Sequence, residues 1–388
     1  MRRKRLSDAM AIVAALAIGW LAWSGHVLLL PLSTIFPLLW SKTAYRSSAG
    51  IVSASYFLAA SRGLPQGVAS YYETDLWPGM LLWLVASSAF VTVHSILWTR
   101  RSGWHRAGCY LIACGLMAVP PFGILGWAHP ATSAGVLFPD WGWLGLAATV
   151  AGLAIMTTGR WPAATIAFAG LWLWSAATWG AVTAPAPWRG ADFSLGASLG
   201  RSADLAYHRA LAAAARQSAG NMSTVIVLPE GSLGLWTPTV ERLWRRELFG
   251  DHLVILAGAT VVNGEGYDNV LVSISADASK VIYRQRMPVP GSMWQPWRRW
   301  FGASDGARAH FLDDPVATVA NLTIAPLICY EQLLVWPILQ AVLHDPDIIV
   351  GIGNGWWTVG TSVVPIQRAS MQAWARLFGL PLVSSFNM

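Results

Sequence analysis

The chain has 388 residues, of which 55% are hydrophobic and only 12% are charged, against about 25% charged residues in an ordinary soluble domain. This composition excludes a disordered chain and a typical soluble nucleic-acid-binding module, and three cysteines exclude a disulfide scaffold. The sequence therefore predicts a membrane protein with enough chain left for one polar domain.

The charge is divided unequally between the two halves. Residues 1–188 contain 11 Lys and Arg against 4 Asp and Glu, whereas residues 189–388 contain 15 of each. A basic surface for nucleic acid is expected on the polar domain, but here the excess lies in the apolar half. We therefore expect no direct binding of nucleic acid.

Long apolar runs in the first half predict membrane-spanning helices, which need about 20 residues each. Together with two runs of about 15 residues, they predict a bundle of about seven spans within residues 1–182. The runs are 8–24, 26–40, 47–61, 76–98, 107–128, 138–158 and 161–182.

The basic residues set the orientation of this bundle. With a cytoplasmic N-terminus, segments 1–7, 41–46 and 99–106 and the turn at Arg160 contain 10 of the 11 basic residues, a positive-inside pattern. Seven spans then place the second half in the periplasm of a Gram-negative inner membrane. Residues 183–190, TAPAPWRG, predict a linker, and 191–388 an extracytoplasmic domain.

The polar half alternates apolar, β-branched runs with helical segments, which indicates a layered α/β domain. The predicted strands are 223–230, 252–262, 269–277, 280–287, two within 317–331, 347–354 and 381–386, and the predicted helices are 203–219, 332–344 and 364–379. The cysteines and histidines do not have metal-site spacing, so we expect no metal or other cofactor.

Two polar residues follow apolar strands, where α/β folds place their chemistry. Glu230 ends VIVLPE, and Cys329 ends TIAPLIC just before a predicted helix. The dipole of that helix favours a thiolate, the backbone N–H of Tyr330 suits an oxyanion, and a nearby Glu suits a general base. A buried inert cysteine and a helix-capping glutamate fit the same spacing equally well.

The stretches LPEGSLGLW (228–236), IAPLICYE (324–331) and GNGWWTVG (353–360) resemble three landmarks of the nitrilase, or carbon–nitrogen hydrolase, superfamily. The membrane half narrows the resemblance to the apolipoprotein N-acyltransferase branch, and within that branch to conjugal-transfer membrane proteins. The resemblance implies an αββα sandwich and a Glu-Lys-Cys triad.

By this resemblance Glu230 is the general base and Cys329 is the nucleophile that forms a thioester. Glu331 matches the branch's Cys-Tyr-Glu motif and completes the catalytic set. Asn354 and Trp357 match the loop after the next strand and imply substrate binding.

The chain departs from the family at the lysine. Aligning YRQRMPVPGSMW (283–294) puts Gln285 in the Lys position, and the family's later Glu is absent at Met293. Arg284 and Arg286 are candidate replacements for the cation, although neighbours on a strand point to the opposite face. The chain also stops at Met388 where the acyltransferases continue, so we expect the sandwich to need a partner or the membrane.

Two functions follow from these observations. One is Cys-thioester acyl transfer or amide hydrolysis, with a membrane lipid as acyl donor and the aromatic, Arg-containing segment 287–302 as an interfacial arm. The other is an inactive scaffold that assists conjugation by contacting envelope or mating-apparatus proteins. An enzyme needs a replacement for the lysine near Cys329, whereas a scaffold does not.

Overall fold

The computed structural model of the protein describes residues 2–198, 204–220, 224–302 and 306–388. These residues form two compact units. The first comprises 1–181, 333–336 and 360–379, and the second comprises 182–332, 337–359 and 380–388. Three predicted segments begin just outside the described residues. They are the cytoplasmic terminus, which begins at Met1, the helix 203–219, which begins at Ala203, and the strand 223–230, which begins at Ser223.

Helices dominate the first half of the described chain and are interspersed with strands in the second. In chain order the α-helices are α1 (Arg2–Ala22), α2 (Phe36–Lys42), α3 (Arg46–Ala60), α4 (Leu64–Tyr72), α5 (Leu76–Ile96), α6 (Trp104–Ala118), α7 (Ala134–Leu137), α8 (Gly142–Met156), α9 (Trp161–Ala177), α10 (Leu205–Ala219), α11 (Pro238–Glu247), α12 (Val335–Val342) and α13 (Val363–Phe378).

The first unit has one helix, α5, that is long and apolar enough to cross a membrane by length and composition, counted over the described residues. Shorter apolar helices cover Leu6–Ala22, Val27–Lys42 and Gly142–Met156. The bundle of seven spans therefore stays a prediction.

The predicted continuous helix over 107–128 is wrong. Helix α6 ends at Ala118, and Val119 is extended with φ −133° and ψ 152°. The sequence Pro120-Pro121 explains this end, because a proline disfavours helical backbone in the residue before it and donates no hydrogen bond itself. A 3₁₀ turn over Phe122–Leu125 follows in place of the helix.

The second unit contains two sheets whose strands lie close to those predicted. One sheet has the order β1-β2-β3-β4-β5 and the other has the order β6-β7-β8-β9. The strands are β1 (Trp188–Gly190), β2 (Val225–Val227), β3 (Val254–Asn263), β4 (Gly266–Ile274), β5 (Ser279–Arg284), β6 (Ala317–Val319), β7 (Leu322–Ile328), β8 (Ile348–Asn354) and β9 (Leu382–Asn387).

The pairing of these strands places the ends of β2 and β7 at defined edges. Strands β1, β2 and β3 are parallel, whereas β3, β4 and β5 form antiparallel pairs. Strands β7, β8 and β9 are parallel, with Ile328 opposite Ile352. Residues that follow β7 and β8 therefore share one edge of the second sheet.

Two apolar cores hold the second unit together. One lies between the sheets and joins residues such as Leu256 and Leu271 to Ile324 and Val350, and it includes Cys329. The other lies on the opposite face of the first sheet, against α10 and α11. Burial of β2, β7 and β8 on both faces explains why their sequences are continuously apolar.

Candidate active site

Glu230 lies in the loop that follows β2, with its side chain buried. The loop is held close to β3, where Gly258 donates its backbone N–H to the Pro229 carbonyl at 3.2 Å and accepts from Leu233 at 3.0 Å. A Cβ at position 258 would lie 2.5 Å from the Glu230 Cα. Gly258 is therefore required for this approach, which sets the position of the carboxyl group.

Cys329 follows β7 directly and begins a short 3₁₀ helix, Cys329–Leu333. Its backbone is left-handed, with φ 51°, a conformation that costs a non-glycine residue about 1 kcal/mol or more. The side chain is buried, with 6% of its surface exposed. This turn directs the thiol into the space between the sheets, where it belongs to their shared core.

Glu230 and Cys329 meet in the second unit, as the resemblance implies. A hydrogen bond from the Cys329 thiol reaches the Glu230 carboxyl group and lowers its pKa, but burial has the larger effect. Burial, with a contribution from the Glu331 carboxylate, raises the pKa of Glu230 to about 7. A carboxyl with this pKa can both accept and return a proton near neutral pH.

Gln285 joins this pair through a chain of amides. Its Nε2 donates to the Ile328 carbonyl at 3.0 Å, and its Oε1 accepts from Asn269 Nδ2 at 3.0 Å. The same Asn269 Nδ2 donates to Glu230 Oε1 at 3.2 Å. The position aligned with the family's lysine therefore adjoins the residue before Cys329, and a neutral amide occupies it.

Glu331 lies beside the nucleophile's turn and is saturated with donors. Its Oε1 accepts the backbone N–H groups of Arg286 at 2.5 Å and Met287 at 3.1 Å. Its Oε2 accepts from the Tyr283 hydroxyl at 2.9 Å and the Ile328 N–H at 2.8 Å. These bonds tie the end of β7 to the end of β5, so they indicate that Glu331 positions Cys329 and Gln285 rather than transferring a proton.

The two arginines that flank Gln285 point in other directions. Arg284 pairs with Asp268 at 3.2 Å. The buried guanidinium of Arg286 donates to the Tyr283 hydroxyl at 2.8 Å, to Gln340 at 2.7 Å and to the Pro337 carbonyl at 3.0 Å. These contacts belong to the positioning network around Glu331 and to Asp268, so they do not support either arginine as the replacement for the lysine.

Asn354 and Trp357 lie at the same sheet edge as Cys329, one strand away. Asn354 ends β8, where its Oδ1 accepts from Asn387 Nδ2 at 3.0 Å. Trp357 follows in a 3₁₀ turn, Trp356–Thr358, and is half-buried. Asn354 is thus bonded to β9, and substrate binding by these two residues stays a prediction.

Sequence reasoning missed Asn269 and Tyr283 as members of the site. Asn269 is a polar residue at the start of an otherwise apolar predicted strand, and this was the available signal. The described residues contain no group of three or more His, Cys, Asp and Glu side chains that suits a metal ion.

Known proteins that resemble this chain extend over its whole length. It is 57% identical to the "Probable conjugal transfer protein TraB" of Sinorhizobium fredii over 387 residues, which cover 100% of both chains. It is 53% identical to the "Conjugal transfer protein TraB" of Agrobacterium fabrum, covering 100% of this chain and 94% of that protein.

Solved structures and a family model also match. A nitrilase-superfamily amidase from Nesterenkonia is 12% identical with a TM-score of 0.38, covering 53% of this chain and 79% of that one. The family model described as "Carbon-nitrogen hydrolase" matches residues 58–376, a range that includes Glu230, Gln285 and Cys329. The chain therefore belongs to the carbon–nitrogen hydrolase family.

Proposed function

We propose that this protein is an inner-membrane component of plasmid conjugal transfer whose second unit forms a thioester on Cys329 and transfers the acyl group or hydrolyses an amide. The carrying observation is the hydrogen bond between the Cys329 thiol and the buried carboxyl of Glu230. The names of the two full-length relatives support the conjugal role.

Glu230 is suited to act as the general base for Cys329. Its Oε1 accepts from Asn269, whereas its Oε2 is buried without an N–H or O–H donor among the described residues. A carboxylate oxygen left in this state favours accepting the thiol proton. Asn269 holds the carboxyl group in place and is therefore a positioning residue.

The proposed reaction has two halves. In the first, Glu230 takes the thiol proton, Cys329 Sγ bonds to the donor's carbonyl carbon, and the leaving group departs with the proton from Glu230. In the second, Glu230 takes a proton from water or an acceptor amine, which attacks the thioester carbon. The Cys329 Sγ–C bond then breaks, and the thiolate recovers its proton from Glu230.

The tetrahedral intermediates need donors for their oxyanion. The Gln285 amide and the Tyr330 backbone N–H are the candidate donors, and neither has a positive charge. Loss of one oxyanion donor typically lowers kcat by about 100- to 1000-fold, so we expect a slow enzyme.

Membrane location is supported by composition and by one helix. The chain is 55% hydrophobic, and α5 is long and apolar enough to cross a bilayer. A nucleophile on a membrane protein has access to lipid acyl chains, so we propose a phospholipid as the acyl donor.

Intact-mass spectrometry of the detergent-purified full chain tests the thioester. After incubation with phospholipid, we expect a mass gain of one acyl chain that hydroxylamine removes. Cys329→Ala should lack the adduct, whereas Cys109→Ser, which changes the half-buried cysteine, should keep it. A folded parent protein that gains no acyl chain from any of several lipid classes would exclude the proposed chemistry.

The neutral residue at position 285 favours the second candidate function, an inactive scaffold of the mating apparatus. On that hypothesis Cys329→Ala supports plasmid transfer as well as the parent does, since the fold needs no nucleophile. A mating assay with this variant, expressed at the parent's level, separates the two functions. Loss of transfer supports the enzyme, and full transfer supports the scaffold.

A further inference from the structure

The segment that follows Gln285 presents unusually exposed aromatic side chains. Residues 296–301 form a short 3₁₀ helix, Pro296–Phe301. Trp300 and Phe301 are each 83% exposed, and Trp297 is 42% exposed. Large aromatic residues are usually buried because they hold 150–250 Å² of mostly apolar surface, so this cluster needs an apolar surrounding that the described chain does not supply.

The charge of this segment is one-sided. Residues 287–302 contain Arg298 and Arg299 and no Asp or Glu, whereas the second half of the chain as a whole is balanced. A sequence that combines tryptophan and phenylalanine with arginine suits the headgroup level of a bilayer, because aromatic rings enter the apolar boundary and basic segments are attracted to anionic lipid.

The base of this segment is anchored at the candidate active site. Residue 285 ends the amide chain to Asn269 and Ile328, and the next residue, Arg286, gives its N–H to Glu331. The chain returns at His310, whose N–H donates to the Arg286 carbonyl at 3.0 Å. We call residues 286–310 the excursion. Its first and last residues are thus joined to each other directly after Gln285.

Contacts within the excursion hold its two sides together. The Ala307 N–H donates to the Met293 carbonyl at 2.9 Å, and the Trp294 and Phe311 rings meet edge to face with centroids 5.6 Å apart. The buried carboxylate of Asp268 holds Arg308 and His310 on the returning side. The exposed tip is therefore presented by a braced base.

We propose that Trp297, Trp300 and Phe301 form a membrane-inserting tip that docks on the lipid surface and connects it to the Cys329 site. This inference rests on the proposed membrane location of the chain, and the occupant to which it commits is a bilayer containing anionic phospholipid. Because the base of this tip is fixed beside Gln285, docking of the tip would hold the thioester chemistry near its lipid donor.

A fluorescent label at the tip tests the inference. In the full chain with Cys109→Ser, Trp300→Cys is labelled with an environment-sensitive dye and reconstituted into phosphatidylcholine vesicles with phosphatidylglycerol. We expect a blue-shifted emission and strong quenching by lipids that carry a spin label near the headgroup. Leu343→Cys, which is 67% exposed in the parent and lies next to His344, Asp345 and Asp347, is the matched control and should show neither change.

The outcomes separate this inference from the proposed function. A protein that resists alkaline extraction from the vesicles, but whose label at 300 is quenched no more than at 343, overturns the inserting tip and leaves the membrane location intact. A protein that is extracted disproves the membrane location. Quenching at position 300 when vesicles are added to that extracted protein still supports the tip. The Cys109→Ser protein without a new cysteine measures label that reaches Cys114 or Cys329.

Discussion

Glu230 makes the stability of this protein depend on pH. Burial first, and the neighbouring Glu331 carboxylate next, raise its pKa from 4.5 to about 7, against the hydrogen bond from Cys329. The folded state therefore binds this proton more tightly than the unfolded state does. The stabilisation is complete below the ordinary glutamate pKa and is lost as pH rises through about 7, a change of about 3 kcal/mol.

Glu230→Gln should remove that dependence. We expect the parent's melting temperature to fall relative to the variant's between about pH 5 and about pH 8. Tryptophan fluorescence in detergent measures both melting temperatures. The comparison cancels other titrating groups because the two proteins differ at one residue. If the difference in melting temperature between the two proteins stays constant across this pH range, the pKa of Glu230 is an ordinary one.

Gln285 determines whether the site has a cation. Gln285→Lys should place an ammonium near Asn269 and the carbonyl of Ile328, the residue before Cys329, where it favours the thiolate of Cys329. Lowering the thiol pKa by about one unit raises the thiolate fraction about tenfold near neutral pH. A thiolate of lower pKa is also a weaker nucleophile, so we expect alkylation to be about threefold faster. Iodoacetamide labelling followed by peptide mass spectrometry measures this rate, with Cys109 in the same molecule as internal reference.

Gln285→Met is the matched control for that substitution, because it keeps a long side chain and adds no charge. We expect its Cys329 alkylation rate to stay at or below that of the parent. Equal rates in folded Gln285→Lys and Gln285→Met would show that the side chain at position 285 does not act on the thiol.

At the level of elements, Glu331 is the clamp between the strand ends of β5 and β7. It accepts four hydrogen bonds and faces the buried Arg286. Glu331→Gln replaces one carboxylate oxygen, which accepts two of these hydrogen bonds, by an NH2 group that cannot accept them, and it removes the negative charge near Arg286. A buried donor left without an acceptor costs about 1–3 kcal/mol.

Arg284→Gln is the control for the clamp, one strand position from Gln285. The Arg284 side chain is 45% exposed, and its partner Asp268 keeps Arg308 and His310. We expect a loss of about 1 kcal/mol or less. Thermal unfolding of both variants in detergent makes the comparison, and similar losses would argue against a clamp at Glu331.

The strands of the second unit were predictable because both faces of the sheets are buried, which leaves continuous β-branched runs such as 348–354. Helix α11 was missed, although Thr237 and Pro238 are a capping pair whose hydroxyl accepts from Val240 at 3.3 Å. The sequence of α11 is mostly polar, so the helix was not predicted. It packs on the domain through Trp244, which is completely buried.

The site was predictable only in part for a related reason. Glu230, Gln285 and Cys329 follow from the family resemblance, which locates them by motif. Asn269 contacts Glu230 across 39 positions of sequence. The register of β3, β4 and β5 brings these residues together, and it cannot be read from the local sequence around either residue. The clamp at Glu331 depends on a similar long-range contact, with Arg286 and Met287.

At the scale of the whole molecule, the asymmetry of charge predicts its orientation in a membrane. Helix α5 is the clearest case. Glu73 and Asp75 precede it, and Arg100 and Arg101 follow it. By the positive-inside rule its C-terminal end faces the cytoplasm, and the seven-span interpretation then puts residues 183–388 in the periplasm.

Reporter fusions test this orientation one step at a time. Alkaline phosphatase, which is active only in the periplasm, should be active when fused after Thr74 and inactive after Ser102, on the two sides of α5. Activity after Ala186, in the predicted linker, requires an odd number of spans before it. Equal activity after Thr74 and Ser102 would mean that α5 does not cross the membrane. The opposite result at Ala186 is an inactive alkaline phosphatase fusion together with a fluorescent fusion of green fluorescent protein, which reports the cytoplasm. That result would place Cys329 in the cytoplasm and require an even number of spans.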